Sequence, residues 1–192
     1  KYYMTPVLSR VDKIIAKEKN KKTAWKKLFD EIYTIMIDSK DDVEKLLVIR
    51  ENEGIIKSKD QARKSIAGAV FSNTIVYTFL KNKEVGNIEK NIFITSKYKN
   101  LKGFDKISTI YVDDETQKPD CDLVIYKLFE NEEIDKCMII SLKTSLRERA
   151  GQTYKWKLLM EIASCDNDIK RKYNIKYEPD KFPTIAFATV TV

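Results

Sequence analysis

Pro119-Asp120-Cys121-Asp122-Leu123-Val124-Ile125-Tyr126, with Met138-Ile139-Ile140-Ser141-Leu142-Lys143 further on, reads as two short apolar strands. The first opens on a pair of aspartates and the second ends on a lysine. The charged turn from Glu130 to Lys136 separates the two predicted strands, Asp122 to Phe129 and Cys137 to Lys143. Paired as a hairpin, they bring Asp122 and Lys143 to one end of a sheet. A carboxylate and an ammonium fixed beside each other on a rigid edge can hold a divalent cation and orient a water.

Working outward, the pattern predicts a helix over roughly Arg149 to Ser164, where Trp156, Leu159, Met160 and Ala163 share one face. A charged loop, Asn167 to Lys181, and then Pro183 lead to a last strand, Thr184 to Val190. Upstream of the hairpin, Asn91 to Thr95 and Ser108 to Val112 read as strands. The polar stretch Lys97 to Phe104 and the acidic stretch Asp113 to Lys118 read as loops. Earlier still the period is helical. Val7, Leu8, Val11, Ile14 and Ile15 share a face, as do Trp25, Leu28, Phe29, Ile32, Ile35 and Met36, with a charged break from Lys17 to Lys22 between them. Asp41 to Arg50 reads as a shorter helix, ended by Gly54. Ser58-Lys59-Asp60-Gln61 has the form of a capping box and starts a long helix with Ile66, Val70, Phe71, Ile75, Phe79 and Leu80 on its buried face. The fold class expected is α/β, a mixed sheet flanked by helices with an N-terminal helical extension. Residues 1–57 form the helical region and 58–192 the core, together one compact domain.

Composition narrows the chemistry. The chain has no histidine, which excludes histidine-dependent metal sites and Ser-His or Cys-His catalysis. Hydrolysis here must rest on carboxylates, lysine and a hard cation such as Mg²⁺. Cys121, Cys137 and Cys165 are widely spaced and make no CxxC pair, so a reduced, cytoplasmic setting is expected. No apolar run approaches a membrane span, and residues 1–6 lack the apolar core of a signal peptide. The absence of an initiating Met and the strand-like ending suggest a trimmed chain. The formal net charge is +7, and Ser141 to Lys157 alone carries a net excess of four positive charges. That concentration next to the suspected site points to a polyanion.

The segment Pro119-Asp120-Cys121-Asp122, followed after an interval by Ser141-Leu142-Lys143, resembles the PD-(D/E)xK nucleases. The run Lys143-Thr144-Ser145-Leu146-Arg147-Glu148-Arg149 is similar to the stretch after the catalytic lysine of type II restriction endonucleases. The resemblance covers roughly Ser58 to Val192. It implies a restriction-endonuclease-like core, cleavage of double-stranded DNA with Mg²⁺, and a homodimer, one site for each strand. It implies that Asp122, with Asp120 or Glu161, holds the metal, and that Lys143 orients the attacking water. Thr144, Ser145, Arg147, Arg149, Gln152 and Lys155 would contact DNA.

The chain departs from the family pattern in two places. Ser141 stands where an acid often precedes the lysine by two residues, and Glu161 or Glu148 could supply it. Gly68-Ala69-Val70-Phe71 is followed by Ser72 and Asn73 where related nucleases carry a glutamate. A repair or recombination nuclease of the same superfamily, or a DNA-binding protein that has lost an acid, are the rival readings.

Overall fold

Three long helices account for most of the first ninety residues, and the seven strands among the described residues lie after them. The structure is a computed structural model. It describes residues 2–144, 149–179 and 181–190, and the side chains of all of these except 149 and 150. The chain divides into two units, Lys1–Lys90 with Thr189–Val192, and Asn91–Ala188.

In the first unit, α1 (Thr5–Lys17) and α2 (Lys21–Asn52) meet at the charged break. The Asn20 side chain accepts from the backbone N–H groups of Lys22 and Thr23, which starts α2. α2 then runs unbroken for 32 residues, so the separate helix expected from Asp41 is part of it. The cause is local: no Gly or Pro interrupts residues 37–52, and Ser39 donates its hydroxyl to the Ile35 carbonyl instead of capping a new start. Trp25, Leu28, Ile32, Ile35 and Met36 are buried, whereas Phe29 lies at the margin of that face, 40% exposed. Gly54 ends this stretch with a left-handed φ of 70°. α3 (Lys59–Glu84) is capped by Ser58, whose hydroxyl accepts from the Gln61 N–H. Val70, Phe71 and Phe79 are buried as expected, while Leu80 is exposed. Asn82, buried on α3, donates to the Trp25 carbonyl of α2 at 2.8 Å and so ties the two helices together.

The second unit holds the sheet. β1 (Ile92–Thr95), β4 (Leu123–Leu128), β5 (Ile134–Lys143) and β7 (Thr184–Thr189) lie side by side in the order β1-β4-β5-β7. β4 pairs antiparallel with both β1 and β5, and the expected hairpin is the β4–β5 pair, from Leu123↔Ile140 to Leu128↔Ile134. A smaller sheet, β3-β2-β6, is built from β2 (Ile110–Val112), β3 (Glu115–Gln117) and β6 (Ile175–Lys176). The mixed α/β class and the N-terminal helical region therefore stand.

Several short elements replace expected loops or shift their ends. Residues 98–100 form one 3-10 turn, and α4 (Phe104–Ser108) takes the start of the strand expected from Ser108. The acidic loop carries β3, because Asp113 adopts a left-handed φ of 51° and lets the chain fold back on β2. α5 (Arg149–Ser164) occupies its expected span, and α6 (Asp168–Lys172) and β6 lie within the expected loop after it.

Two clusters hold this unit together. Phe104 and Ile107 of α4 pack on Val124, Ile134, Cys137 and Ile139 of the hairpin. Ile110 packs with Met160 and Ala163 of α5, Ile175 and Tyr177, and the Tyr177 hydroxyl donates to the Ile107 carbonyl at 2.7 Å. Burial of the Tyr177 phenol pushes its pKa up, so it stays a donor.

Candidate active site

Side chains on a strand alternate between faces, so residues two apart continue one row. Val124 and Ile139 are paired and both belong to the α4-facing cluster. Stepping by two toward the open end of the hairpin gives Asp122 and Asp120 on one chain, Ser141 and Lys143 on the other. The apolar row thus ends in two carboxylates, a hydroxyl and an ammonium.

The contacts bear this out. The Lys143 ammonium forms an ion pair with Asp120 and lies 3.7 Å from Asp122 Oδ2. Its side chain is only 11% exposed, against 42% for Asp120 and 37% for Asp122. A sheltered ammonium needs compensating charge, and both aspartates supply it. The Ser141 hydroxyl lies 3.4 Å from Asp120 Oδ2, and Ser141 is itself buried. Regular backbone pairing stops at Leu123. Beyond it the Asp122 N–H donates to the Ile140 carbonyl at 2.9 Å, and Asp122 Oδ2 accepts the Leu142 N–H at 2.6 Å. The carboxylate therefore closes the ladder in place of a backbone carbonyl, which locks its orientation.

Cys121, between the two acids, turns its thiol toward the Leu123 carbonyl and packs on the core cluster. Burial, and then the charge of Asp122, push its pKa up to about 12. It is an inert thiol, as is Cys137, whose pKa burial alone pushes up to about 12.

The oxygen groups gathered here are all hard: two carboxylates and the Ser141 hydroxyl. That set fits Mg²⁺, which binds through one or two carboxylates and keeps several waters. Among the described residues no group of three histidine, cysteine or acidic side chains is gathered to cage a cation.

Glu161 is not brought to this cluster. It lies on α5, exposed, 3.9 Å from Lys157, and lines a groove with Met160, Phe182 and Ile185. Of the expected DNA contacts, Gln152 and Lys155 are exposed on α5 and Thr144 is half-buried just after Lys143. Ser145, Arg147 and Glu148 lie outside the described residues, as does the side chain of Arg149.

One residue at this edge has more weight than sequence reasoning gives it. β1 ends at Thr95, opposite Val124, so the chain leaving β1 emerges where β4 begins. Tyr98 follows at once. Its half-buried ring packs on Phe104, 5.2 Å between centroids. Burial first, and then Cys121, Asp122 and Asp120, raise its pKa. Only its place after a strand predicted to adjoin the hairpin could have drawn attention to it.

A carboxylate pair bridged by a sheltered lysine at the end of a hairpin sets hard oxygen donors beside a fixed positive charge. Residues 96–190, which contain all of it, match the family model described as BsaWI restriction endonuclease type 2. The region that carries the site is thus similar to the type II restriction endonucleases, the family that the motif also resembles. The chain is also similar to a curated protein of Methanocaldococcus jannaschii named "Putative type II restriction enzyme MjaVIP", 42% identical over 52 residues. That alignment covers 27% of this chain and 23% of the relative, so the chain spans about a quarter of the relative's length. No solved structure gives a significant match.

Proposed function

We propose that this chain carries the catalytic unit of a type II restriction endonuclease. Its reaction is sequence-specific hydrolysis of phosphodiester bonds in double-stranded DNA, with Mg²⁺, by a homodimer in the cytoplasm. The observation that carries this reading is Lys143, held between Asp120 and Asp122 at the sheet edge inside the segment that matches the family. The net charge of +7 supports a polyanionic substrate. No helix among the described residues is long and apolar enough to cross a membrane.

Asp120 and Asp122 would hold the cation, which when bound polarises the scissile phosphate and makes a coordinated water more acidic. Asp122 is fixed by the Leu142 N–H, which commits one carboxylate oxygen, Oδ2, and leaves the other to bind the cation. Lys143 supplies a positive charge where the attacking water and the phosphate oxygens gather, and its short exposed reach keeps that charge in place. Ser141 is a donor to Asp120, not an acid, so the unit works with two carboxylates.

Plasmid DNA incubated with the protein and Mg²⁺ is expected to give discrete fragments, and none in EDTA. Lys143→Ala is expected to lower cleavage by roughly a thousandfold or more while DNA is still bound. DNA that is bound but never cut by the unaltered chain would point instead to the binding protein that Ser141 also suggests. Cutting confined to branched or damaged DNA would point to a repair nuclease.

A further inference from the structure

The stretch Lys97-Tyr98-Lys99 lies at the same end of the sheet as the carboxylate–lysine cluster, because β1 ends at Thr95 against Val124, two residues from Asp122. Its backbone is ordered by its own bonds. The Thr95 hydroxyl accepts the Lys97 N–H at 2.9 Å, and the Asn100 and Leu101 N–H groups donate to the Lys97 and Tyr98 carbonyls at 3.1 and 3.0 Å. The Tyr98 ring is held against Phe104, while its hydroxyl makes no hydrogen bond among the described residues. Lys97 and Lys99 are exposed and not ion-paired among the described residues. Lys102 of the same loop, by contrast, is tied to Glu133 at 3.2 Å. A fixed phenol donor flanked by two free ammonium groups, beside a pair of cation-holding carboxylates, is a constellation for a run of phosphates.

Resting on the nuclease reading above, we propose that the Tyr98 hydroxyl donates a hydrogen bond to a phosphate oxygen at the bond being cut, and that Lys97 and Lys99 hold the neighbouring phosphates. The 96–103 segment is then one wall of the DNA cleft. The site thereby gains a neutral donor that its two-carboxylate set lacks. A neutral donor adds polarisation of the phosphate without competing with the cation for Asp120 and Asp122.

The test is Tyr98→Phe, which removes the hydroxyl and keeps the ring on Phe104. Single-turnover cutting in Mg²⁺ is measured on a labelled fragment spanning a position the unaltered chain cuts, and binding to the same fragment is measured in EDTA. The expected result is a rate at saturating enzyme lowered about 10- to 100-fold, with Kd changed less than about threefold and the melting temperature unmoved. Lys97→Ala with Lys99→Ala is expected to weaken binding and lower the salt slope of log Kd by roughly two. Tyr98→Phe cutting at the unaltered rate at saturation overturns the phenol contact, whatever happens to Kd. An unchanged salt slope overturns the lysine contacts. If the unaltered chain cuts no DNA, the nuclease reading falls and this contact with it. If the unaltered chain cuts and Lys143→Ala does not, the nuclease reading stands, and unaltered cutting by Tyr98→Phe or an unchanged salt slope then overturns this wall on its own.

Discussion

The open end of the β4–β5 hairpin and the outer face of α5 carry the same kinds of residue, an acid and a lysine in contact, yet they differ in what holds them. At the hairpin, Lys143 is 11% exposed and shares its charge between Asp120 and Asp122. On α5, Lys157 and Glu161 are both 62% exposed and form a single pair one turn apart. The first contact is set by a strand ladder and a committed backbone N–H. The second is set by two solvated side chains that cost rotamer freedom to hold together. Chemistry can be built on the first, because removing one partner strands a sheltered charge. The second is an ordinary helix-surface pair.

The largest effect should therefore come from the hairpin end. Lys143→Ala is expected to abolish cutting, and Asp120→Asn and Asp122→Asn should do the same with smaller effects on folding. The two aspartates are separable. Asp122 Oδ2 accepts the Leu142 N–H, so Asp122→Ala should also lower stability by about 1 kcal/mol, a cost Asp122→Asn largely avoids. Denaturant unfolding of the two variants measures this. Equal stabilities would mean that the bond at the ladder's end contributes little, and the rigidity ascribed to this edge would have to come from elsewhere.

A middle-sized contrast lies in the cysteines. Cys121 sits within the hairpin end, and burial together with Asp122 holds its pKa near 12. Cys137 is likewise raised to about 12, whereas Cys165, at the end of α5, is exposed. A thiol whose pKa is raised has little thiolate at pH 8, and its fraction grows only as pH climbs toward that value. Alkylation at pH 8 followed by mass spectrometry should therefore label Cys165 well before Cys121 and Cys137. Rapid labelling of Cys121 would show that the hairpin end opens, against the fixed geometry drawn for it.

The same contrast explains which parts of the molecule could be read from the sequence. Asp120, Asp122 and Lys143 were legible because strand alternation and hairpin pairing are short-range rules. Two apolar runs with charges at matching ends leave one register in which those charges meet. The helices of the first unit were legible by their period, but their length was not. Ser39 could have capped a new helix or bonded back to Ile35, and only packing decides. The short elements α4, β3, α6 and β6 have too few residues to show any period. The role proposed for Tyr98 was not legible for a different reason. Its importance comes from β1 lying next to β4, a pairing between segments far apart in sequence that no local pattern encodes.

The smallest expected effect tests the α5 side of the comparison. Glu161 is the natural candidate for a third acid, since Ser141 stands where one is common. Its side chain pairs with Lys157 and lines a groove with Phe182, and no third acid is gathered with Asp120 and Asp122 among the described residues. Glu161→Gln keeps the shape of the side chain and removes its charge. Cutting is expected to stay within about threefold of the unaltered rate, and stability within the roughly 0.5 kcal/mol typical of an exposed helix pair. A loss of cutting comparable to that of Asp122→Asn, restored by raising Mg²⁺, would mean that α5 swings Glu161 onto the cation when DNA is bound. The two regions would then be halves of one site.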